Sequence, residues 1–155
     1  MKLVHFSKRE IKRFEEKENR LNAVYFIEDA EIVSLMGDER CSYFSDLQER
    51  YAEMYESNFY HFGALYGGIV NLFEIDDNAN VLDLSSSLPE FILEFLGMDD
   101  EDDALELIRY DEDIQAQINR LAKEKGYDVI VYKDYTEGEE HKSYAVLNYS
   151  IIKNK

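Results

Sequence analysis

Short apolar runs rich in strand-forming residues stand near both ends of this chain, and residues at helical spacing fill much of the stretch between them. At the start, Leu3-Val4-His5-Phe6-Ser7 and Ala23-Val24-Tyr25-Phe26-Ile27 are such runs, the second closed by Glu28-Asp29. Near the end, Tyr127-Asp128-Val129-Ile130-Val131-Tyr132 reads as a buried strand and Ser143-Tyr144-Ala145-Val146-Leu147 as its return strand. Thr136-Glu137-Gly138-Glu139-Glu140 between them has turn chemistry. β-Branched and aromatic side chains at this density suit a pleated, half-buried surface. Strands gathered at both ends, with helices between, do not form a regular strand-helix-strand series, and the expected class is α+β.

The middle of the chain carries the helical signals. Ser7 is placed to cap a helix from Lys8 to about Glu18, with Glu10 at the capping-box position. Asp29 or Ser34 starts a short helix. Ser42 to about Glu56 reads as a longer one, because Phe44, Leu47, Tyr51, Met54 and Tyr55 recur at helical intervals. Gly67-Gly68 breaks the chain before a strand over 69–75. Asp76-Asp77-Asn78 is a turn, and Val81-Leu82-Asp83-Leu84 is a short strand. Ser86 or Ser87 then caps a helix with Pro89 in its first turn and Gly97 as its stop. From about Ile114 to Lys125, Ile114, Ile118 and Leu121 share a face, and Gly126 ends the helix. With one proline and seven glycines there is little material for linkers, so 155 residues are expected to form one domain, 1–155.

Charge narrows the function. Seventeen Lys and Arg stand against 34 Asp and Glu, a net charge of −17. Residues 2–20 hold seven of the bases, whereas 99–113 hold nine acids and only Arg109. Phosphate binding draws its affinity from Lys and Arg, so direct nucleic-acid binding is not expected, nor is attraction to an anionic membrane. Such a surface suits a protein partner with a basic face, for instance part of a nucleic-acid-handling complex. It also suits imitation of a polyanion.

Cys41 is the only cysteine and has no internal disulfide partner. The basic start lacks the apolar core of a secretory signal, and no apolar run approaches the roughly 18–20 residues that span a bilayer. A cytoplasmic location is therefore expected. No glycine-rich phosphate loop is present, and three scattered histidines with one cysteine give no zinc pattern. The run Asp99–Asp103 lacks the alternating ligands of a calcium loop and reads as a solvated face.

One constellation remains. His5 and Ser7 on the first strand carry groups that hydrogen-bond a ribose, and Tyr25 on the second offers a ring that can stack on nicotinamide. Glu137, Glu139 and Glu140 on the last turn are carboxylates able to stabilise an oxocarbenium-like transition state. Taken singly, His5 and Tyr25 read better as core or interface residues of strands. The order of the segments adds to them. Val4-His5-Phe6-Ser7 resembles the His-Gly-Ser/Thr first motif of the ADP-ribosyltransferases of the His-Tyr-Glu class. Ala23-Val24-Tyr25-Phe26-Ile27-Glu28-Asp29 resembles their Gly-Ile-Tyr-Phe-Ala-Asp second motif. Residues 126–132 resemble the penultimate strand of small, phage-type members, and Ser143-Tyr144-Ala145-Val146-Leu147-Asn148 resembles the Glu-Tyr-Ile-Val-Tyr-Asp third motif. These segments cover about a third of the chain.

The resemblance implies split antiparallel β-sheets with helices packed around them and an NAD⁺ site in the cleft between. It implies that His5 holds the adenosine-side ribose, that the Phe6 and Ser7 backbone contacts the nicotinamide amide, and that Tyr25, followed by Phe26, stacks on the ring. Two departures stand out: Phe6 replaces a glycine, and Ser143 occupies the place of the catalytic Glu. Serine carries no negative charge, so either catalysis falls to Glu140 first, then Glu139 or Glu137, or the site is inactive and the fold serves binding. The expected function is an NAD-dependent mono-ADP-ribosyltransferase modifying a protein, of the kind a phage or mobile element deploys as an effector. The alternative is a non-enzymatic acidic inhibitor that fills a basic groove on its partner; a third is an acidic structural or immunity-type domain.

Overall fold

A computed structural model of the chain describes residues 1–7, 14, 21–28, 59–61, 69–136 and 139–154. The helices expected over 8–18, after Asp29 or Ser34 and over 42–56, together with Cys41, Gly67-Gly68 and Glu137, lie outside the described residues.

Eight described strands form one sheet. They are β1 (Lys2–Ser7), β2 (Val24–Glu28), β3 (Phe59–His61), β4 (Ile69–Ile75), β5 (Val81–Asp83), β6 (Val129–Thr136), β7 (Glu139–Val146) and β8 (Ile152–Asn154). Their order is β3-β4-β1-β2-β7-β6-β5, with β8 on β4. β3 and β8 lie end to end along the same edge of β4, one pairing Ile69 to Asn71 and the other Phe73 to Ile75. Every pairing is antiparallel except β5 with β6, whose parallel register Val81↔Val129 requires a crossover. Three helices provide it: α1 (Glu90–Leu96), α2 (Glu101–Tyr110) and α3 (Glu112–Glu124). The α+β class therefore holds. The expected two small sheets are instead one continuous sheet among the described residues, although its β1–β2 seam is short, with pairs Leu3↔Glu28 and Val4↔Ile27.

Local chemistry sets the helix ends. Pro89, rather than Ser86 or Ser87, is the residue before α1. Its φ of −68° suits a helix start, and it contributes no side-chain cap. Gly97 ends the helix at φ 65°, a left-handed conformation that an L side chain rarely adopts; its N–H and that of Met98 return to carbonyls of the last turn. The acidic run at 99–113 is a pair of helix starts, and α2 was not foreseen. Asp100 accepts from the Asp103 N–H, and Asp111 accepts from the N–H groups of Asp113 and Ile114. Glu101, Asp102 and Asp103 lie in the first turn of α2, where the helix dipole favours negative charge. They are exposed, as a solvated face requires.

Each sheet face is covered, so Val129-Ile130-Val131-Tyr132 is buried on both sides and reads as a continuous apolar run. On one face Leu82, Ile130, Ala145 and Leu147 pack against Ile92 of α1, Ala104 and Ile108 of α2, and Ile118 and Ala122 of α3. On the other, Leu3, Phe26, Phe73, Val131 and Tyr144 form a second cluster, with Phe14 and Ile152 packed against it. The β6–β7 ladder runs to Thr136↔Glu139, so Thr136, Glu139 and Glu140 are strand residues and not turn. Among the described residues no helix is long and apolar enough to cross a membrane.

Candidate functional site

The sheet order makes β1, β2 and β7 neighbours, so three segments far apart in sequence lie side by side. β2 pairs with β7 through Tyr25↔Ala145, Phe26↔Tyr144 and Ile27↔Ser143. On its other side β2 meets β1 over Leu3 and Val4. At the next residue the imidazole of His5 reaches the strand in place of the backbone: Nδ1 lies 2.7 Å from the Tyr25 carbonyl oxygen. A carbonyl only accepts, so this bond assigns the proton to Nδ1 and leaves Nε2 as an acceptor.

The His5 ring is half-buried. Phe14 meets it edge-on, with ring centroids 5.4 Å apart and planes at 90°, and Phe26 stands at the same distance. Burial lowers its pKa below 6.5, and the hydrogen bond to Tyr25 offsets part of that effect. A depressed histidine pKa means that the unfolded chain takes up the proton first. The stability that neutral His5 contributes is complete above 6.5 and is lost as pH falls through that value toward the lower folded one. The urea-unfolding free energy of wild type relative to His5→Gln is therefore expected to shrink between about pH 7.5 and pH 5. A difference that stays flat or grows on acidification would show that His5 is not held neutral.

Tyr25 points to the other face. Its ring stacks on Tyr132 at 6.3 Å and 23°, and its hydroxyl donates to Gln115 Oε1 at 3.1 Å. The same hydroxyl accepts from Asn119 Nδ2 at 3.0 Å. Asn119 is fully buried; Nδ2 also donates to the Leu21 carbonyl at 2.7 Å, and Oδ1 accepts from the Tyr132 hydroxyl at 2.7 Å. Gln115 Nε2 donates to the Ile108 carbonyl at 2.8 Å. Asn22, at φ 56°, donates to the Ala116 carbonyl at 3.2 Å, so the segment entering β2 is tied to α3 twice over. Burial pushes the Tyr132 phenol well above its usual pKa, and the neighbouring Tyr25 phenol adds to the shift.

The sequence candidates are thus distributed. His5 and Phe26 share one face, and Tyr25 lies on the other. His5 and Tyr25 meet through a backbone carbonyl and not across a common cavity. Ser143 is buried beside Ile27 and Tyr132. Phe6 and Ser7 pair with Val70 and Ile69 through the backbone. Glu140 and Glu139 pair with Tyr135 and Thr136, three and four residues before Ser143, so their backbones lie about 10–13 Å along the strand from it. Gln115 and Asn119 were not foreseen. Their signal was a polar pair at i, i+4 beside the apolar stripe of Ile114, Ile118 and Leu121.

Compared with models of known families, with curated proteins and with solved structures, the chain has no match.

Proposed function

We propose that the chain is an NAD-dependent mono-ADP-ribosyltransferase that modifies a protein. The observation that supports this reading is the adjacency of β1, β2 and β7, the strands that carry the three resembling segments, with His5 hydrogen-bonded where the β1–β2 ladder ends. In this reading His5 Nε2 accepts from a ribose hydroxyl while Nδ1 stays on the Tyr25 carbonyl, so one neutral tautomer serves both partners. The bond from ribose C1′ to the nicotinamide nitrogen breaks with its electron pair leaving on nicotinamide. A side chain of the target then attacks C1′, forming the new bond to the sugar and releasing its proton to solvent. The carboxylate that stabilises the positive charge on the sugar is drawn from Glu140, Glu139 or Glu137. The net charge of −17 steers a target with a basic surface toward the chain.

Tyr25 is the demanding part of the reading. Its phenol is engaged by Gln115 and Asn119, and its ring by Tyr132. Stacking on the nicotinamide of an NAD⁺ whose ribose His5 holds requires the ring to leave that network and reach the opposite face of the sheet, whereas a role in holding α3 against β2 does not. Tyr25→Phe separates the two, because it keeps the ring and removes the hydroxyl.

The test is calorimetric titration with NAD⁺, followed by nicotinamide release in the presence of cell lysate. Saturable binding with release is expected. Glu140→Gln is expected to slow release by about 100-fold or more while leaving binding intact. Tyr25→Phe retains binding if the ring stacks, and Tyr25→Ala removes it. Absence of a saturable heat at about 5 mM NAD⁺ would overturn the proposal.

A second reading is favoured by the exposed acids of α2 and α3. Asp102, Asp103, Glu106, Glu112 and Asp113 are exposed, as a polyanion mimic requires, while Glu101 accepts from the Leu88 N–H. Binding to a basic partner would then weaken steeply with salt and ignore NAD⁺.

A further inference from the structure

The sheet ends at β5, which has β6 on one side and no strand on the other among the described residues. The parallel ladder fixes where each backbone group of β5 points. The Val129 N–H donates to the Asn80 carbonyl at 3.3 Å and the Leu84 N–H to the Val131 carbonyl at 2.8 Å. Leu82, midway between them in the register, turns toward β6 in the same way. Alternate residues of a strand direct their backbone groups to opposite sides. The N–H and C=O of Val81 and of Asp83 therefore face away from β6, and no described residue hydrogen-bonds them there. Both residues are exposed, Val81 at 42%.

This edge is held at both ends. The Asn80 N–H donates to Asp128 Oδ2 at 2.9 Å and its side chain to the Gly126 carbonyl at 3.0 Å. Asp83 Oδ1 accepts from the Ser85 N–H at 2.9 Å and from its hydroxyl at 2.6 Å. A strand fixed in place before its partner arrives loses little order on pairing. Edges are commonly blunted by shortness and by charge, and β5 has both, with three residues that include Asp83. Charge blunts an edge selectively. Asp83 and a net charge of −17 oppose pairing with a second copy of this chain and favour a strand that carries cations.

We propose that β5 is a docking edge for a basic, extended segment of a partner protein, which adds to the sheet as an antiparallel strand. Val81 and Asp83 then each exchange both backbone bonds with the guest residue opposite. Leu82 packs toward the helices, so Val81 and Asp83 present their side chains together on the other face. A Lys or Arg of the guest lies opposite Asp83, whose Oδ2 is not used by Ser85, and a β-branched residue two positions later lies against Val81. Backbone bonds supply the affinity, and the alternate side chains select the segment. Three strands separate β5 from β1, and the docking needs no NAD⁺, so it stands apart from the transferase reading.

The test is an NMR titration of the nitrogen-labelled chain, at low salt, with the end-blocked peptide Thr-Lys-Thr-Val-Thr-Lys. Saturable shifts centred on the Val81 and Asp83 amides are expected, with a Kd of about 0.1–1 mM. Replacing both lysines of the peptide by glutamate is expected to weaken binding about tenfold or more. N-Methylation of its first Lys and its Val keeps the charge, removes the ladder donors and is expected to have an effect of about the same size. Val81→Pro deletes an N–H that β6 does not use, so the sheet is expected to survive and binding to fall about tenfold. Should that variant fold poorly, the N-methylated peptide asks the same question of the unaltered chain. Asp83→Asn keeps an acceptor for Ser85 and is expected to weaken the lysine peptide about threefold. The proposal is overturned if the two amides do not shift up to about 5 mM peptide, or if the shifts gather instead on the acids of α2 and α3. It is overturned equally if the N-methylated peptide binds as tightly as its parent. Shifts of the same amides with protein concentration alone would overturn it in favour of a second copy of the chain.

Discussion

Asn119→Ala is expected to lower the stability of the chain by about 3–5 kcal/mol, or roughly 10–15 °C in Tm. Asn119 is fully buried on α3 and satisfies three groups at once: the Leu21 carbonyl, the Tyr25 hydroxyl and the Tyr132 hydroxyl. The magnitude does not come from the sum of three hydrogen bonds, each worth about 1 kcal/mol net. It comes from what is left behind. The Tyr132 hydroxyl, on a residue 2% exposed, loses its acceptor. The Leu21 carbonyl loses the Asn119 donor. A buried hydroxyl left without its partner costs about 1–3 kcal/mol, and the lost Asn119 bonds to the Leu21 carbonyl and the Tyr25 hydroxyl add to it. Against a total stability of about 5–15 kcal/mol for a typical domain, that is a large share. Urea denaturation with an unchanged m-value is the check. Asn119→Leu combined with Tyr132→Phe removes donor and acceptor together, and is expected to be less damaging than Asn119→Leu alone. If the two substitutions simply add, the network is not coupled.

Phe26→Ala is expected to cost about 3–5 kcal/mol, through lost burial and a cavity that its neighbours only partly close. Phe26 is 1% exposed, with Phe14 at 5.5 Å and Phe73 at 5.9 Å between ring centroids. The two aromatic contacts are edge-on, a geometry that adds to burial. A second readout ties the loss to the His5 side of the sheet. With Phe26 gone, water approaches His5, and its pKa is expected to rise back toward 6.5 in an NMR titration of the ring protons. Phe26→Leu keeps most of the volume and is expected to cost less than half as much. An unmoved His5 pKa in Phe26→Ala would mean that Phe14 and the backbone alone keep the ring dry.

Much of the sheet was legible from sequence because its strands are apolar and punctuated. The strand over 69–75 falls where the run predicts it, and Ala23–Ile27 is displaced by one residue, to Val24–Glu28. Gly97 ends α1 as expected, because a positive φ is a backbone demand that only a few residues meet. The helix at Glu101–Tyr110 was obscured by its own caps. Nine acids in fifteen residues read as a solvated face, and its apolar stripe reduces to Ala104, Leu105 and Ile108. β8 was missed because three residues after a 3-10 turn at Tyr149–Ile151 give no periodicity to read. The acidic turn at 136–140 was overestimated, since turn-forming composition does not show how far a ladder extends.

For the candidate site, sequence named residues that do lie on neighbouring strands, but it cannot show which face a side chain takes. That depends on register, and a slip of one residue reverses it. His5 and Tyr25 illustrate the point, on adjacent strands with side chains on opposite faces. The Asn119 network was hidden for a different reason. A polar residue on an apolar helix face is intelligible only once its three partners, from three separate segments, are known.

The place of β2 in the sheet also governs how the chain emerges from the ribosome. β1 finds β4 once residue 75 is made, but the other edge of β2 has no partner until β7 arrives, roughly 115 residues after Glu28, or about 6–23 s at ordinary synthesis rates. Through that interval Val24–Glu28 offers an unpaired row of backbone donors and acceptors beside Phe26 and Tyr25. Nascent chains stalled before residue 143 are therefore the species most exposed to edge-to-edge association and to capture by chaperones, and release of the C-terminal hairpin is what ends that exposure.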